Sequence, residues 1–157
     1  MKRVTLPNYT ANPTANSNLD HIVPNRQATT LQWVYLDSNW RVQVTNPGSG
    51  TMEGVRYESE HGMGWTGQQY FGAIIHQLKG TNGKVLDYVR VSIYYTDGTG
   101  DHSPPYSVTM NGDWQHVIPF HVASTPGKTI DWVTVKAIRN NPQAMTFSTD
   151  NAWVVEL

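Results

Sequence analysis

The sequence contains no cysteine. This absence excludes a disulfide framework, a metal site built on thiolates and a cysteine nucleophile. Histidine occurs six times, but no two histidines have the i, i+2 or i, i+4 spacing that is common at metal sites. A zinc site is therefore not expected.

Charge and long apolar runs are also scarce. Only 15% of the residues are charged and the net charge is −1, so neither nucleic acid nor an anionic membrane surface is an expected partner. No apolar stretch approaches the roughly 18 to 20 residues that a membrane span needs. The N-terminus has a basic start without an apolar run behind it, so a signal peptide is not expected.

Aromatic residues, in contrast, are abundant, with six Trp and eight Tyr among 157 residues. This length suits one domain with a substantial core. We expect a single domain over residues 19–157. Residues 1–18, rich in Asn, Thr and Pro, are predicted to form an N-terminal arm or linker, with a candidate edge strand at residues 2–6.

The segment 84–96 shows the clearest strand pattern, since it alternates, is rich in β-branched and aromatic residues and ends in a turn. Two sets of side chains alternate along it: a core set, Val89, Val91, Ile93 and Tyr95, and an opposite set, Tyr88, Arg90, Ser92 and Tyr94. Exposed strand faces seldom pair aromatic rings with a guanidinium. The opposite set is therefore predicted to contact a ligand.

Similar alternation recurs in about ten short segments separated by turn signals, without sustained helical periodicity or an internal repeat. Residues 30–36 and 40–46 are predicted to form a hairpin, and residues 112–122 one strand with Pro119 at an edge or bulge. The pattern predicts an all-β sandwich, and its strand count suits a jelly roll of two antiparallel sheets.

Sugar binding is the function that this composition favours. A pyranose ring packs its C–H faces on aromatic rings, and its hydroxyls bond to charged or amide groups. The opposite set has these residue types, and so do Trp132, Thr134 and Lys136 on a later strand. If both strands lie in one concave sheet, the two sets line one groove; the alternative is that Trp132 lies inside the sandwich.

Trp65 is a further candidate because it lies in the glycine-dense segment 61–67. Glycines beside the ring leave backbone room for a ligand across its face. The alternative is a flexible loop with one ring packed into the core.

Catalysis has weaker support. Glu53, Glu58 and Glu60 cluster near the glycine-dense segment, and glycoside hydrolysis uses two carboxylates about 5 to 10 Å apart. Three acidic groups near a polar loop are more often a solvated surface. No nucleophile-elbow, phosphate-loop or dinucleotide-binding motif is present, so we expect no enzyme.

Several segments together resemble the jelly-roll carbohydrate-binding modules. Residues 113–120 resemble their W-x-x-x-x-x-F strand, and residues 147–156 resemble their closing F-x-x-D-D/N-V-x-V-E strand. Residues 64–67, followed by a strand and a Gly-Lys turn into a tyrosine-rich strand, are similar to the xylan-binding type. The resemblance covers roughly residues 53–157, and the order of the motifs carries it.

This resemblance implies a non-catalytic module that binds a polysaccharide or cell-wall glycan, as part of a larger enzyme or of a phage tail or neck protein. The expected location is extracellular or on a virion surface. It also implies that Trp65 lines the groove and that Asp150 helps to hold a structural calcium, although the acidic residue that the family carries near its N-terminus is missing. A structural or protein-interaction sandwich in a phage tail or other extracellular assembly remains the alternative.

Overall fold

Two sheets make up the fold in a computed structural model that describes residues 7–15, 18–26 and 28–157. The strands of these residues are β1 (Ile22–Pro24), β2 (Thr30–Leu36), β3 (Asn39–Asn46), β4 (Glu53–Glu58), β5 (Tyr70–Gly80), β6 (Val85–Tyr95), β7 (Gly100–His102), β8 (Tyr106–Thr109), β9 (Gln115–Val117), β10 (Val122–Ala123), β11 (Ile130–Arg139) and β12 (Met145–Glu156). Within the described residues, no helix is long and apolar enough to span a membrane.

The first sheet has the strand order β1-β4-β11-β6-β7, with β8 also paired to β6. The second sheet has the order β10-β5-β12-β3-β2, with β9 also paired to β5. Every pairing is antiparallel. The predicted all-β sandwich of two antiparallel sheets is confirmed, and so is the hairpin of β2 and β3.

The core lies between the two sheets. The central strands β6 and β11 send alternate side chains into it, among them Val91 and Val133, and β5 and β12 oppose them with Phe71 and Val154. The core set predicted for residues 84–96 is fully buried, as its alternation indicated. The residues between them on these strands must then face away from the second sheet. We call this surface the outer face.

Residues 112–122 do not form the single strand that their alternation predicts. The segment divides into β9 and β10, which pair separately with β5. Pro119 lies between them, and a proline has no N–H to donate to a strand partner. The side chains of Ile118 and Phe120 consequently leave the sheet and are 61% and 51% exposed.

The described part of the N-terminal segment, residues 7–15, packs on the sandwich. The backbone N–H of Tyr9 donates to the carbonyl of Val154 in the second sheet, and that of Ala11 donates to Glu58 in the first. These contacts fit an arm docked on the domain rather than a linker. The candidate strand at residues 2–6 lies outside the described residues.

Candidate functional site

The outer face of the first sheet collects polar and aromatic side chains in rows that cross its strands. Strand pairing places the following residues side by side: Arg56, Lys136 and Arg90 in one row; Glu58, Thr134, Ser92 and His102 in a second; Trp132 and Tyr94 in a third; and Ile138 and Tyr88 in a fourth. Directly opposed side chains in a sheet lie within contact distance of each other. The face is therefore one continuous surface across β4, β11, β6 and β7.

Five of the six predicted ligand-contacting residues lie together on this face: Tyr88, Arg90, Tyr94, Trp132 and Lys136. The Lys136 ammonium donates a hydrogen bond to the Tyr94 hydroxyl, and the Arg90 guanidinium lies 5.1 Å from the centre of the Tyr88 ring. Trp132 is on the outer face rather than inside the sandwich. The antiparallel pairing of β6 with β11 unites the two predicted sets.

Three rings form a stack at one end of the face. Tyr94 and Trp132 are 4.2 Å apart between ring centres and nearly parallel, and His61 lies on the other side of Trp132 at 4.7 Å. Both faces of the indole are therefore covered, and a ligand meets either the edge of the stack or the outer side of His61. Sequence reasoning missed His61, because only its neighbouring glycines marked the segment.

The middle of the face is a buried polar floor. Ser92 and Thr134 are fully buried and Lys136 is 7% exposed, although all three point away from the second sheet. Tyr88 and Tyr94 remain half-buried and stand beside this floor. The Thr134 hydroxyl donates to the carbonyl of Tyr57 and the Ser92 hydroxyl shares a hydrogen bond with His102, so both hydroxyls are satisfied within the protein.

Burial and neighbouring charges lower the pKa values of two groups on the outer face. Burial lowers the pKa of Lys136 to about 8, and the neighbouring guanidinium groups of Arg56 and Arg90 act in the same direction. Burial also lowers the pKa of His102, whose Nδ1 shares a 2.6 Å hydrogen bond with the Ser92 hydroxyl. Neutral His102 is consequently the dominant form at pH 7.

Trp65 does not belong to this face, and we correct the prediction that it lines the groove. Its ring packs against the core, stacked on Phe71 at 5.9 Å and meeting the edge of Tyr9 at 5.0 Å. Its backbone bridges to Ile130. This is the alternative that the sequence left open, a ring packed inward from a glycine-dense loop.

Two of the three clustered carboxylates, Glu53 and Glu60, contact neighbouring groups of the protein. Burial of Glu53 opposes its charged form, but hydrogen bonds from Gly48, Ser49 and Gly50 outweigh burial and lower its pKa. Glu60 is exposed and contacts His21. Glu53 is thus held as an anion by its own loop, which does not suit a general acid.

The surroundings of Asp150 do not fit a calcium ion. Its Oδ2 accepts a 2.9 Å hydrogen bond from the buried guanidinium of Arg41. Its Oδ1 is buried without a hydrogen-bond partner among the described residues, but calcium takes six to eight oxygen ligands. In residues 7–15, 18–26 and 28–157 there is no cluster of three His, Asp or Glu side chains suited to a metal.

Comparison of the sequence with protein-family models and with curated proteins gives no match. Comparison of the structure with solved structures gives many. The N-terminal family 22 and catalytic modules of Clostridium thermocellum endo-1,4-β-D-xylanase 10B, in complex with xylohexaose, match with a TM-score of 0.63 and 14% identity over 93% of this chain and 28% of that chain. The C-terminal family 22 carbohydrate-binding module of the same xylanase matches with a TM-score of 0.62 and 15% identity over 94% of this chain and 92% of that module.

A third match comes from a virion protein. The enzymatically active domain of bacteriophage CBA120 tailspike protein 4 matches with a TM-score of 0.59 and 10% identity, over 96% of this chain and 21% of that chain. The chain therefore has the jelly-roll β-sandwich fold of the carbohydrate-binding modules. Within that class, its structural matches include the xylan-binding modules of family 22.

Proposed function

We propose that this chain is a non-catalytic glycan-binding module that holds a polysaccharide or cell-wall glycan against the outer face. One observation carries the proposal: Tyr88, Arg90, Tyr94, Trp132 and Lys136 meet on a single face of a carbohydrate-binding-module fold. The combination of rings and hydrogen-bond donors is what a sugar surface requires.

Each group has a definable contact with a sugar. The Tyr94 and Trp132 stack and the Tyr88 ring offer apolar surface to pyranose C–H groups. Arg90 and Lys136 offer N–H donors to hydroxyl oxygens, in a setting where burial strengthens each hydrogen bond. The binding energy then comes from several moderate contacts spread along the face.

Non-catalytic binding is favoured by the acidic groups. Glu58 is the carboxylate of the outer-face rows, and it is held by Arg56 at 3.3 Å and by His61 at 3.3 Å. Glycoside hydrolysis normally uses two carboxylates that flank the bond to be broken. Among the described residues of these rows, Glu58 has no such partner.

The structural matches support a proposal for the setting of the module. One matching module is joined to a xylanase and another match belongs to a phage tailspike. We infer that this chain works outside the cell or on a virion surface, as part of a larger enzyme or virion protein, and brings that assembly to its glycan.

The test is a binding screen of the chain against plant polysaccharides and bacterial cell-wall preparations, read by affinity electrophoresis and tryptophan fluorescence. Tyr88→Ala should weaken binding by about 1 to 3 kcal/mol, by analogy with base stacking on aromatic side chains. Tyr94→Ala and Trp132→Ala should also weaken binding, because each removes a ring of the stack whose edge meets the sugar. Tyr35→Ala is the matched control, since Tyr35 is 64% exposed on β2 of the second sheet.

Three results would contradict the proposal. Failure to bind any of the glycans would favour the structural or protein-interaction sandwich. Binding that only Tyr35→Ala weakens would move the site to the second sheet. Release of soluble sugar from any polymer would show that the chain is an enzyme.

A further inference from the structure

Three cationic side chains form one row across the outer face. Arg56 on β4 is paired with Lys136 on β11, which is paired in turn with Arg90 on β6. Like charges placed directly opposite each other in a sheet destabilise it. The chain therefore concentrates positive charge across three neighbouring strands at an energetic cost, although its net charge is −1.

The row is short of negative partners. Glu58 pairs with Arg56 and is shared with His61. The Arg90 guanidinium donates to the carbonyl of Ser103 at 3.1 and 2.9 Å, which is a neutral acceptor. In the part of the chain that the structure describes, neither Lys136 nor Arg90 has a carboxylate within ion-pair distance.

Two donors in the row are buried and poorly satisfied. The Nε of Arg56 is buried without a hydrogen-bond partner among the described residues. The Lys136 ammonium, in a residue only 7% exposed, donates to the neutral hydroxyl of Tyr94. A buried cation without a counter-charge is costly, and an arriving anion would remove that cost.

We propose that the row of Arg56, Lys136 and Arg90 is a subsite for an anionic substituent of the bound glycan. The substituent is a carboxylate, as in a uronic acid, or a phosphate, as in a phosphodiester-linked wall polymer. Guanidinium groups present planar pairs of donors that match the oxygens of both anions. This inference rests on the proposed function and narrows its ligand to acidic glycans, with the flanking rings contacting neutral parts of the chain.

The experiment compares polymers that differ mainly in charge. Isothermal titration calorimetry with the whole chain would use 4-O-methylglucuronoxylan and its carboxyl-reduced form, polygalacturonate and its methyl ester, and poly(glycerol phosphate) teichoic acid beside neutral xylan. At least one acidic polymer should bind tenfold or more tightly than its neutral counterpart in 50 mM salt. This preference should shrink in 500 mM salt, where charge interactions are screened. The acidic polymer that shows this preference identifies carboxylate or phosphate as the recognised group.

Variants locate the effect. Lys136→Met and Arg90→Gln should each weaken binding of the acidic polymer at least fivefold more than binding of its neutral counterpart. Lys79→Met is the matched control, because Lys79 lies on β5 of the second sheet and pairs with Asp37 at 3.0 Å. Tyr94→Ala should weaken acidic and neutral polymers to a similar degree.

The outcomes separate the two proposals. Equal affinity for acidic and neutral polymers would overturn the anionic subsite and leave glycan binding intact. A preference for acid that Lys136→Met and Arg90→Gln do not reduce would also overturn it, since the anion would then bind elsewhere. Failure of every polymer to bind would overturn the proposed function itself.

Discussion

Lys136 is the residue at which folding stability and the proposed glycan binding oppose each other. It lies in the centre of the outer face with its ammonium buried, and five groups surround it on neighbouring strands: Arg56 and Glu58 of β4, Arg90 and Tyr94 of β6, and His102 of β7. The folded state holds the pKa of Lys136 at about 8, below the ordinary value of 10.5. Keeping this side chain charged therefore costs folding free energy.

We predict that Lys136→Met stabilises the fold by about 2 kcal/mol at pH 7, because it removes a buried charge while it also removes one hydrogen bond. The sign with pH follows from linkage. Below about pH 8 both folded and unfolded states hold the proton, so the gain is constant. Between pH 8 and 10.5 only the unfolded chain keeps it, so the wild type recovers stability and the gain disappears.

Urea unfolding of both proteins at pH 7 and pH 9.5 measures this effect. Lys79→Met serves as control, since loss of its surface ion pair should change stability by at most about 1 kcal/mol at either pH. A Lys136→Met protein that is less stable than the wild type at pH 7 would show that this ammonium stabilises the fold.

At this scale, the sequence predicts residues whose environment is set locally. Tyr88, Arg90 and Tyr94 were assigned to the outer face because side chains alternate along a strand, and this period depends on the strand alone. Trp65 could not be assigned in the same way. Its burial depends on contacts with Phe71 and with Tyr9 of the N-terminal arm. Loop residues have no regular alternation from which such contacts could be predicted.

At the scale of elements, the alignment of β4 with β11 builds the row of cations, and a glycine keeps the two strands close. Gly54 is paired with Ile138, two residues along the strands from the pairing of Arg56 with Lys136. A Cβ at Gly54 would lie 2.1 Å from the carbonyl oxygen of Ala137 and 2.8 Å from the Cα of Ile138. Both obstacles are backbone atoms, which cannot move without separating the strands.

We therefore predict that Gly54→Ala destabilises the protein by about 3 kcal/mol, because the added methyl group overpacks against backbone. It should also weaken glycan binding, because it displaces β4 and with it Arg56. Thermal unfolding and affinity electrophoresis measure the two effects.

Gly50→Ala is the control, since a Cβ at Gly50 meets no atom within 4 Å. If Gly54→Ala unfolds at the same temperature as Gly50→Ala, the close approach of β4 and β11 is not a constraint on the fold.

Strands are predictable where polar and apolar side chains alternate without interruption, and they are harder to predict where the alternation is broken. Strands β6 and β11 are recognisable from their periodicity, whereas residues 112–122 alternate but are divided at Pro119 into β9 and β10. The sequence alone does not predict which strands pair with each other. The neighbours β4, β11 and β6 are far apart along the chain, and no local signal sets their order or register.

At the scale of the whole molecule, the two sheets have different roles. The second sheet supplies the opposing half of the core, while the first sheet packs its inner side chains into the same core and presents its outer side chains to the proposed ligand. A strand with two such faces can evolve a binding surface without changing its packing. This division explains how the fold agrees with that of modules at only 14% and 15% identity.

The most direct measurement is an NMR titration of the six tryptophan indole N–H signals with the polysaccharide that binds most tightly. We expect the Trp132 signal to move, because its indole belongs to the outer-face stack, and the signals of Trp33 and Trp40 on the second sheet to stay unchanged. Trp132→Phe assigns the signal. Movement of Trp33 and Trp40 with Trp132 unaffected would contradict the account and place the glycan on the β2–β3 hairpin.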